Sequence, residues 1–459
     1  MTRLLARALG ALSLVLGLTV PLSAAEPIAF DVVAENALPG SPQWQIEHRQ
    51  FTKKTLAYAS SESVRAGESF DLAVACRAPS FTVEALRIGY YDNVGARAVW
   101  QSEPRKCRTQ PNAVVDPSTH LATANWHRSI SIDTTDWPEG AYVLKVVAAD
   151  RSATYVDLVV RSESVYDRVV FISSTLTSQA YNNWGGANAY RGSKGFSTRA
   201  RMLSYDRPQL WGLGSGKFLT YEAPVIRRAE ANGIPIAVLT DVDISRDPSL
   251  LAGARSIVFG GHAEYWTQSL RNAVTDARDR GTNLLFFGAN TSYWRVRLEQ
   301  PRTMTVYKSR SADPSPKPTI RFRDVGQSDS ELTAVTYNCF PAKGSFTISD
   351  PTSWVFDGTG VRKGQTFNGI IATEIDKLVV RSSRVHVLAN SPATCGRRKT
   401  HSMMVLRSEP SGVFTFASGT MGWVSKAMRG SSGKDTLQFV NQVTDNLLLR
   451  AAARDDAAA

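Results

Sequence analysis

The period of the hydrophobic pattern changes once along this chain, near residue 163, and that change constrains its fold more than any other feature. Before it, apolar and polar residues alternate over short stretches. Examples are Phe70-Asp71-Leu72-Ala73-Val74, Val83-Glu84-Ala85-Leu86-Arg87-Ile88 and Ser129-Ile130-Ser131-Ile132. Tyr142-Val143-Leu144-Lys145-Val146 and Tyr155-Val156-Asp157-Leu158-Val159 complete the set. Period two places every second side chain on one face, as in a half-buried strand. Turn residues such as Asp92-Asn93 and Pro138-Glu139-Gly140 lie between the runs. Residues 27–162 therefore read as an antiparallel β-sandwich of the immunoglobulin-like kind.

Beyond residue 163 the apolar runs are nearly uninterrupted: Arg168 to Ser173, Ile234 to Leu239, Ser256 to Phe259 and Asn283 to Phe287. Helix-like stretches separate them, from Glu222 to Asn232 and from Thr267 to Asp279. Strands without alternation, joined by helices, predict a mainly parallel α/β sheet covered on both faces. From about Thr303 the helices fade, which predicts an antiparallel extension and loops over the sheet. Asp313-Pro314-Ser315-Pro316-Lys317-Pro318 is a loop, since prolines at that density exclude helix and central strand. The α/β domain spans 163–450, and residues 451–459 form a frayed tail.

The first 25 residues read as a secretory signal peptide. Arg3 and Arg7 precede an apolar stretch from Ala8 to Val20, and small residues end at Ala25. No later segment is long and apolar enough for a stable membrane span. A secreted or periplasmic location follows, and it suits disulfides. Of three pairings for four cysteines, Cys76–Cys107 and Cys339–Cys395 is the simplest, one bridge in each part. None has CxxC spacing. Net charge is +12, or +10 once Arg3 and Arg7 are removed. The basic residues are scattered, so nucleic acid is not an expected partner. A solvated surface, or attraction to anionic envelope polymers, fits better. Homo-oligomerisation is left open.

Polar clusters follow the apolar strands: Thr177 to Gly186, Asp241-Val242-Asp243, Gly260 to Trp266, and Gly288 to Arg295. In a parallel sheet all four lie on one edge and converge on one pocket. The chemistry narrows by elimination. The six histidines show no HExxH or paired spacing, and no GxSxG elbow occurs. Gly212-Leu213-Gly214-Ser215-Gly216 lacks the Lys-Ser/Thr ending of a phosphate loop and reads as a flexible turn. Oxygen donors near a single histidine remain. An all-oxygen site suits a hard metal ion, and phenolate ligands favour ferric iron. His262 and Glu264, two apart on an extended backbone, share a face, and Tyr265 points away. On residues alone the pair can be a base, a metal ligand or a structural ion pair. Asp241 and Asp243 are expected to cap a helix or grip a loop. Trp184, Trp266 and Trp294 are expected to wall the pocket.

Several stretches resemble the C-terminal region of the large (beta) subunit of N,N-dimethylformamidase. They are Ala180-Tyr181-Asn182-Asn183-Trp184-Gly185-Gly186, Ser204-Tyr205-Asp206-Arg207-Pro208, Gly261 to Trp266, Gly288 to Arg295, and Tyr307-Lys308. Trp137-Pro138-Glu139-Gly140-Ala141-Tyr142 and Thr373-Glu374-Ile375-Asp376 extend the likeness, which runs from about residue 50 to about residue 450. The resemblance implies a glutamine-amidotransferase-like sheet and a mononuclear iron (Fe3+) held by two tyrosines and one glutamate. It also implies hydrolysis of a small amide by a metal-activated water. Carried over by motif, Glu264 is the carboxylate ligand, and Tyr181 and Tyr142 are the phenolates. His262 and Glu374 are the acid/base pair, with Glu374 holding the imidazole tautomer. Asn290 orients substrate or water, and Lys308 lines the pocket. The enzyme that gives the family its name is larger, with a further N-terminal domain and a small partner subunit. Ala263 stands where relatives often carry an acid. The competing expectation is a non-catalytic or carbohydrate-directed envelope-binding protein on the same fold.

Overall fold

The computed structural model describes residues 30–453. The signal-peptide reading and the last six residues of the tail lie outside them. From Asp31 onward the chain forms one unit.

Two antiparallel sheets open the chain. Leu56–Ala59, Ser69–Ala75 and Ile130–Asp133 make the first. Gly140–Ala148 pairs with both Ala153–Arg161 and Ser80–Ile88 at the centre of the second. Ala96–Gln101 flanks it on one side, and Ser63–Arg65 joins in parallel on the other. Phe70, Leu72 and Val74 of the first sheet meet Val83, Leu144 and Leu158 of the second in one core. The alternation has the expected physical result: Ile130–Asp133 runs buried, exposed, buried, exposed. Cys76–Cys107 closes this region and Cys339–Cys395 the later one, as the sequence predicts.

Among the described residues the largest sheet has nine strands. Five are parallel, in the spatial order Ala237–Thr240, Val169–Ser173, Ser256–Phe259, Asn283–Phe286 and Phe414–Ala417. Every residue of the first three is buried, which explains why their sequences cannot alternate. Helices Ala223–Ala231 and Lys434–Ala452 cover one face, in a core with Phe171, Val238 and Val258. Helices Asp241–Arg246 and Gln268–Asp279 cover the other, with Ile172, Leu239 and Ile257. The sheet continues in long antiparallel strands, Arg398–Ser408, Val385–Cys395, Val335–Thr347 and Thr366–Leu378. The terminal helix runs two residues into the stretch read as frayed, and Ala451 is fully buried. No helix among the described residues is long and apolar enough to cross a membrane.

The two regions share hydrophobic core. Ile88, Val143 and Tyr155 from the N-terminal sheets lie in the cluster that holds Phe171, Phe218 and Ile226. Arg87 and Glu230 form a buried ion pair across this junction at 2.7 Å.

The strand order positions the site. The first parallel strand, Val169–Ser173, sits between the second, Ala237–Thr240, and the third, Ser256–Phe259. Chain direction through the sheet reverses there, and open α/β sheets bind ligands in the crevice beyond the strand ends at such a point. A small sheet of Met202–Ser204, Thr303–Thr305, Trp294–Gln300 and Tyr265–Thr267 grows from the same edge.

Candidate active site

The crevice is built from the loops that leave the first and third parallel strands. Tyr181 ends the helix Thr175–Tyr181 that follows the first. Glu264 lies in the irregular segment that follows the third. Thr177 Oγ1 ties the two loops, accepting from the backbone N–H of Glu264 at 3.0 Å and of Tyr265 at 3.1 Å. Glu264 is fully buried. Its Oε2 accepts from the Tyr181 hydroxyl at 2.6 Å, and its Oε1 accepts from the Tyr190 hydroxyl. Trp294 Nε1 in turn donates to the Tyr190 oxygen at 3.2 Å.

Tyr190 was not among the residues singled out in the sequence, and Tyr142 does not reach the site. Tyr142 belongs to the core between the N-terminal sheets, stacked on Trp137 at 5.3 Å. Its hydroxyl donates to Pro138 O at 2.5 Å, so the turn before its own strand satisfies it. The motif around Tyr142 is a strand start, and strand geometry turns the ring inward. Tyr190 instead arrives through the polar loop after Tyr181. Gly185 and Gly186 adopt φ of +84° and +96°, the left-handed region that glycine enters without strain. Asn188 Oδ1 then accepts from the N–H of Tyr190 at 2.8 Å and of Arg191 at 2.9 Å. The available signal was a second tyrosine in the same Asn/Gly-rich cluster.

His262 Nε2 lies 3.3 Å from Glu264 Oε2. The geometry is not that of a hydrogen bond, and neither imidazole nitrogen has a partner among the described residues. Glu374 does not hold the tautomer. It accepts from Asn290 Nδ2 at 2.7 Å, and Asp376 accepts from Asn290 N at 2.9 Å. Asn290 Oδ1 is left unpartnered. Lys308 Nζ donates to the Tyr265 hydroxyl at 2.5 Å and sits 3.2 Å from the centroid of the Tyr190 ring. Tyr265 therefore faces the site, its ring 6.2 Å from that of Tyr181. The period-two argument failed there because the strand begins only at Tyr265, after a bend at Gly261. Asn290, Ser292, Lys308 and Thr373 all have positive φ, at 59°, 53°, 57° and 66°. Such conformations cost energy in non-glycine residues and cluster at functional sites. Asp241 grips the loop start, accepting from Thr175 Oγ1 at 2.6 Å, and Asp243 caps its own helix.

Burial dominates the electrostatics. It raises the Tyr181 and Tyr190 hydroxyls well above the usual phenol range, and the charge of Glu264 adds to the effect. Burial alone would raise Glu264, but His262, Lys308 and the Tyr181 hydrogen bond hold it below the ordinary value. His262 is pushed down to about 4 by burial and then by the Lys217 ammonium, so it is neutral at neutral pH. Glu374 is pushed up by burial and by Glu264.

The donor set fits a hard cation. Among the described residues no group of three His, Cys, Asp or Glu could hold a metal, and at this point the further oxygen donors beside Glu264 are tyrosine hydroxyls. Two hydroxyls and a carboxylate converge at one buried point, an all-oxygen donor set of the kind a hard cation takes.

The fold and site thus define a mixed α/β protein, rich in sheets, with a carboxylate–tyrosine cluster at the switch point of its parallel sheet. The chain belongs to the N,N-dimethylformamidase beta subunit-like, C-terminal family, which matches residues 82–435. Every residue of the cluster lies inside that match. No curated protein sequence matches the chain. Among solved structures, the mmIFT52 N-terminal domain is similar over 52% of this chain and 92% of that one, at 9% identity and a TM-score of 0.33. A Paenibacillus sp. cycloisomaltooligosaccharide glucanotransferase complexed with cycloisomaltoheptaose is similar over 56% of this chain and 34% of that one, at 6% identity and a TM-score of 0.17. At such scores neither likeness carries an argument.

Proposed function

We propose that this protein is an exported hydrolase of a small amide, cleaving a C–N bond at a mononuclear ferric iron held by Glu264, Tyr181 and Tyr190. The observation that carries the reading is the convergence of both tyrosine hydroxyls on one buried carboxylate, beside an imidazole with no hydrogen-bond partner. When bound, iron supplies Lewis acidity, making water nucleophilic near neutral pH and polarising an amide carbonyl. The chain's own residues do the rest. His262, neutral and unpartnered, takes a proton from the attacking water and returns it to the departing amine nitrogen. Asn290, fixed by Glu374 and Asp376, turns its free Oδ1 towards the donor groups of a bound amide or water. Lys308, whose amine burial pushes well below its ordinary value, presents its Nζ at the edge of the cluster.

The same reading extends to fold and compartment. The facing antiparallel sheets support an immunoglobulin-like sandwich, and the parallel sheet supports a glutamine-amidotransferase-like core. Two disulfides and the leader-like first 25 residues support export.

The test is metal analysis with visible absorption. Iron bound by phenolates gives a coloured protein through ligand-to-metal charge transfer, at about one iron per chain. A preparation that stays colourless and metal-free when offered iron overturns the reading and favours an envelope-binding role for the same crevice.

A further inference from the structure

Two lysine side chains approach the cluster, and only one is engaged. Lys308 donates to Tyr265. Lys217 has its backbone N–H on Ser178 Oγ at 3.2 Å, while its Nζ makes no hydrogen bond or ion pair among the described residues. Aromatic faces hold it instead. Nζ lies 4.1 Å from the centroid of the Tyr181 ring, 5.3 Å from that of Tyr221 and 5.4 Å from that of Trp211. Those faces offset part of its desolvation but give none of its three N–H donors an acceptor.

The glycine-rich run before Lys217 is what brings it there. Gly212, Leu213, Gly214 and Gly216 adopt φ of +57°, +59°, +102° and +58°. A Cβ on Gly216 would stand 2.0 Å from Ser178 Oγ, and one on Gly214 would stand 2.3 Å from Thr154 Oγ1. Only glycine lets the loop lie this close to both the site helix and the N-terminal sheet. The segment is therefore a tightly seated carrier rather than a loose turn. Trp211, at its start, donates Nε1 to Tyr181 O at 3.0 Å yet is 46% exposed. Its indole ring lies between solvent-exposed surface and the Lys217 Nζ, 5.4 Å from it.

The carboxylates whose charge Lys217 feels, Glu264 and Glu374, form no ion pair with it. Glu264 is taken by two tyrosines and Glu374 by Asn290. A carboxylate on the bound amide would give the Lys217 donors a charge-assisted acceptor, a stronger partner than water or a neutral carbonyl oxygen. An amide bearing a carboxylate completes them.

Resting on the amide-hydrolase reading, we propose that Lys217 anchors a carboxylate of the substrate, so that the amide cleaved here is an acidic one of the N-acyl amino acid type. Water adds across the C–N bond: the carbonyl carbon gains the hydroxyl, the amine nitrogen gains the proton, and the anchored carboxylate is unchanged.

The test compares two ligands of equal size, N-formylglycine and N-formylglycinamide, by calorimetric binding to the purified protein of measured iron content. A charge-assisted hydrogen bond predicts that the acid binds roughly ten- to hundredfold tighter. Lys217→Met brings the ratio of the two affinities to near one. Equal affinities in the unaltered protein, or an unchanged ratio in Lys217→Met, overturn the proposal while leaving the amide reading in place. Failure of iron-containing protein to bind either ligand overturns the amide reading and this proposal with it.

Discussion

Two hydroxyl donors occupy only part of what the Glu264 carboxylate can accept, since an ionised carboxylate offers about four lone-pair positions. Glu264→Ala removes the common point of the cluster and is expected to abolish iron content, measured by metal analysis, without loss of cooperative unfolding. The two tyrosines that compete for the role of second phenolate make a sharper test. Tyr190→Phe is expected to bleach or shift the visible charge-transfer band. Tyr142→Phe is expected to leave colour and iron intact and to cost about 1 kcal/mol of stability, the worth of one buried hydrogen bond to Pro138 O. The opposite pattern in absorbance and thermal midpoint would return Tyr142 to the site. That Glu264, His262, Asn290 and Tyr181 lie near one another was legible in the sequence because each follows a buried strand. Tyr190 was illegible because its position depends on how an eight-residue polar loop folds back, which no periodicity records. Glu222 shows what burial does outside the cluster. It accepts from Ser173 Oγ at 2.7 Å and Ser174 N at 3.0 Å, and burial raises it to about 7. A carboxyl group whose folded value exceeds its unfolded one holds extra protons in the folded state. Its contribution to stability therefore falls as pH rises from about 4.5 through 7. Glu222→Gln is expected to flatten that fall by roughly 3 kcal/mol, read from urea midpoints at pH 5 and pH 8.

At the level of elements, local chemistry set several boundaries. Thr267 ends the Tyr265–Thr267 strand and caps the helix Gln268–Asp279, accepting from Leu270 N at 3.1 Å. Its hydroxyl also donates to Ser245 Oγ at 2.7 Å, joining two helices on one face of the sheet. Thr267→Ala is expected to lower stability by about 1 kcal/mol, measured by chemical denaturation. Four parallel strands were readable because complete or nearly complete burial gives them continuous apolar runs. The fifth, Phe414–Ala417, was not, since it follows long antiparallel excursions and no helix announces it. Those excursions were hard to read for a different reason. Val335–Thr347 shows no regular alternation of burial because its pairing with Thr366–Leu378 shifts register at three points. Each irregularity changes which side chains face the core, so the period-two signal cancels.

Across the whole molecule, the N-terminal sheets and the parallel sheet share one hydrophobic cluster and a buried ion pair. The Arg87–Glu230 pair lies in the junction, with both side chains at most 2% exposed. Glu230 also accepts from Asn36 at 2.8 Å. Arg87→Met leaves that carboxylate buried without its cation, and a loss of about 3–5 kcal/mol is expected. Calorimetry on the unaltered protein is expected to show one thermal transition, because the cluster containing Ile88 and Val143 also contains Phe171 and Ile226. Two resolved transitions would contradict it. The shared core also bears on ancestry. A module that can be traded between genes needs a boundary whose cutting exposes little, and the segment between Arg161 and Val169 is no such seam. Exchanging the leading sheets for foreign ones would strip apolar cover from the half that carries the cluster and strand Glu230, so such an exchange is expected to destabilise the chain. The two halves are expected to descend as a pair, with variation in length confined to surface loops and to the ends of the chain.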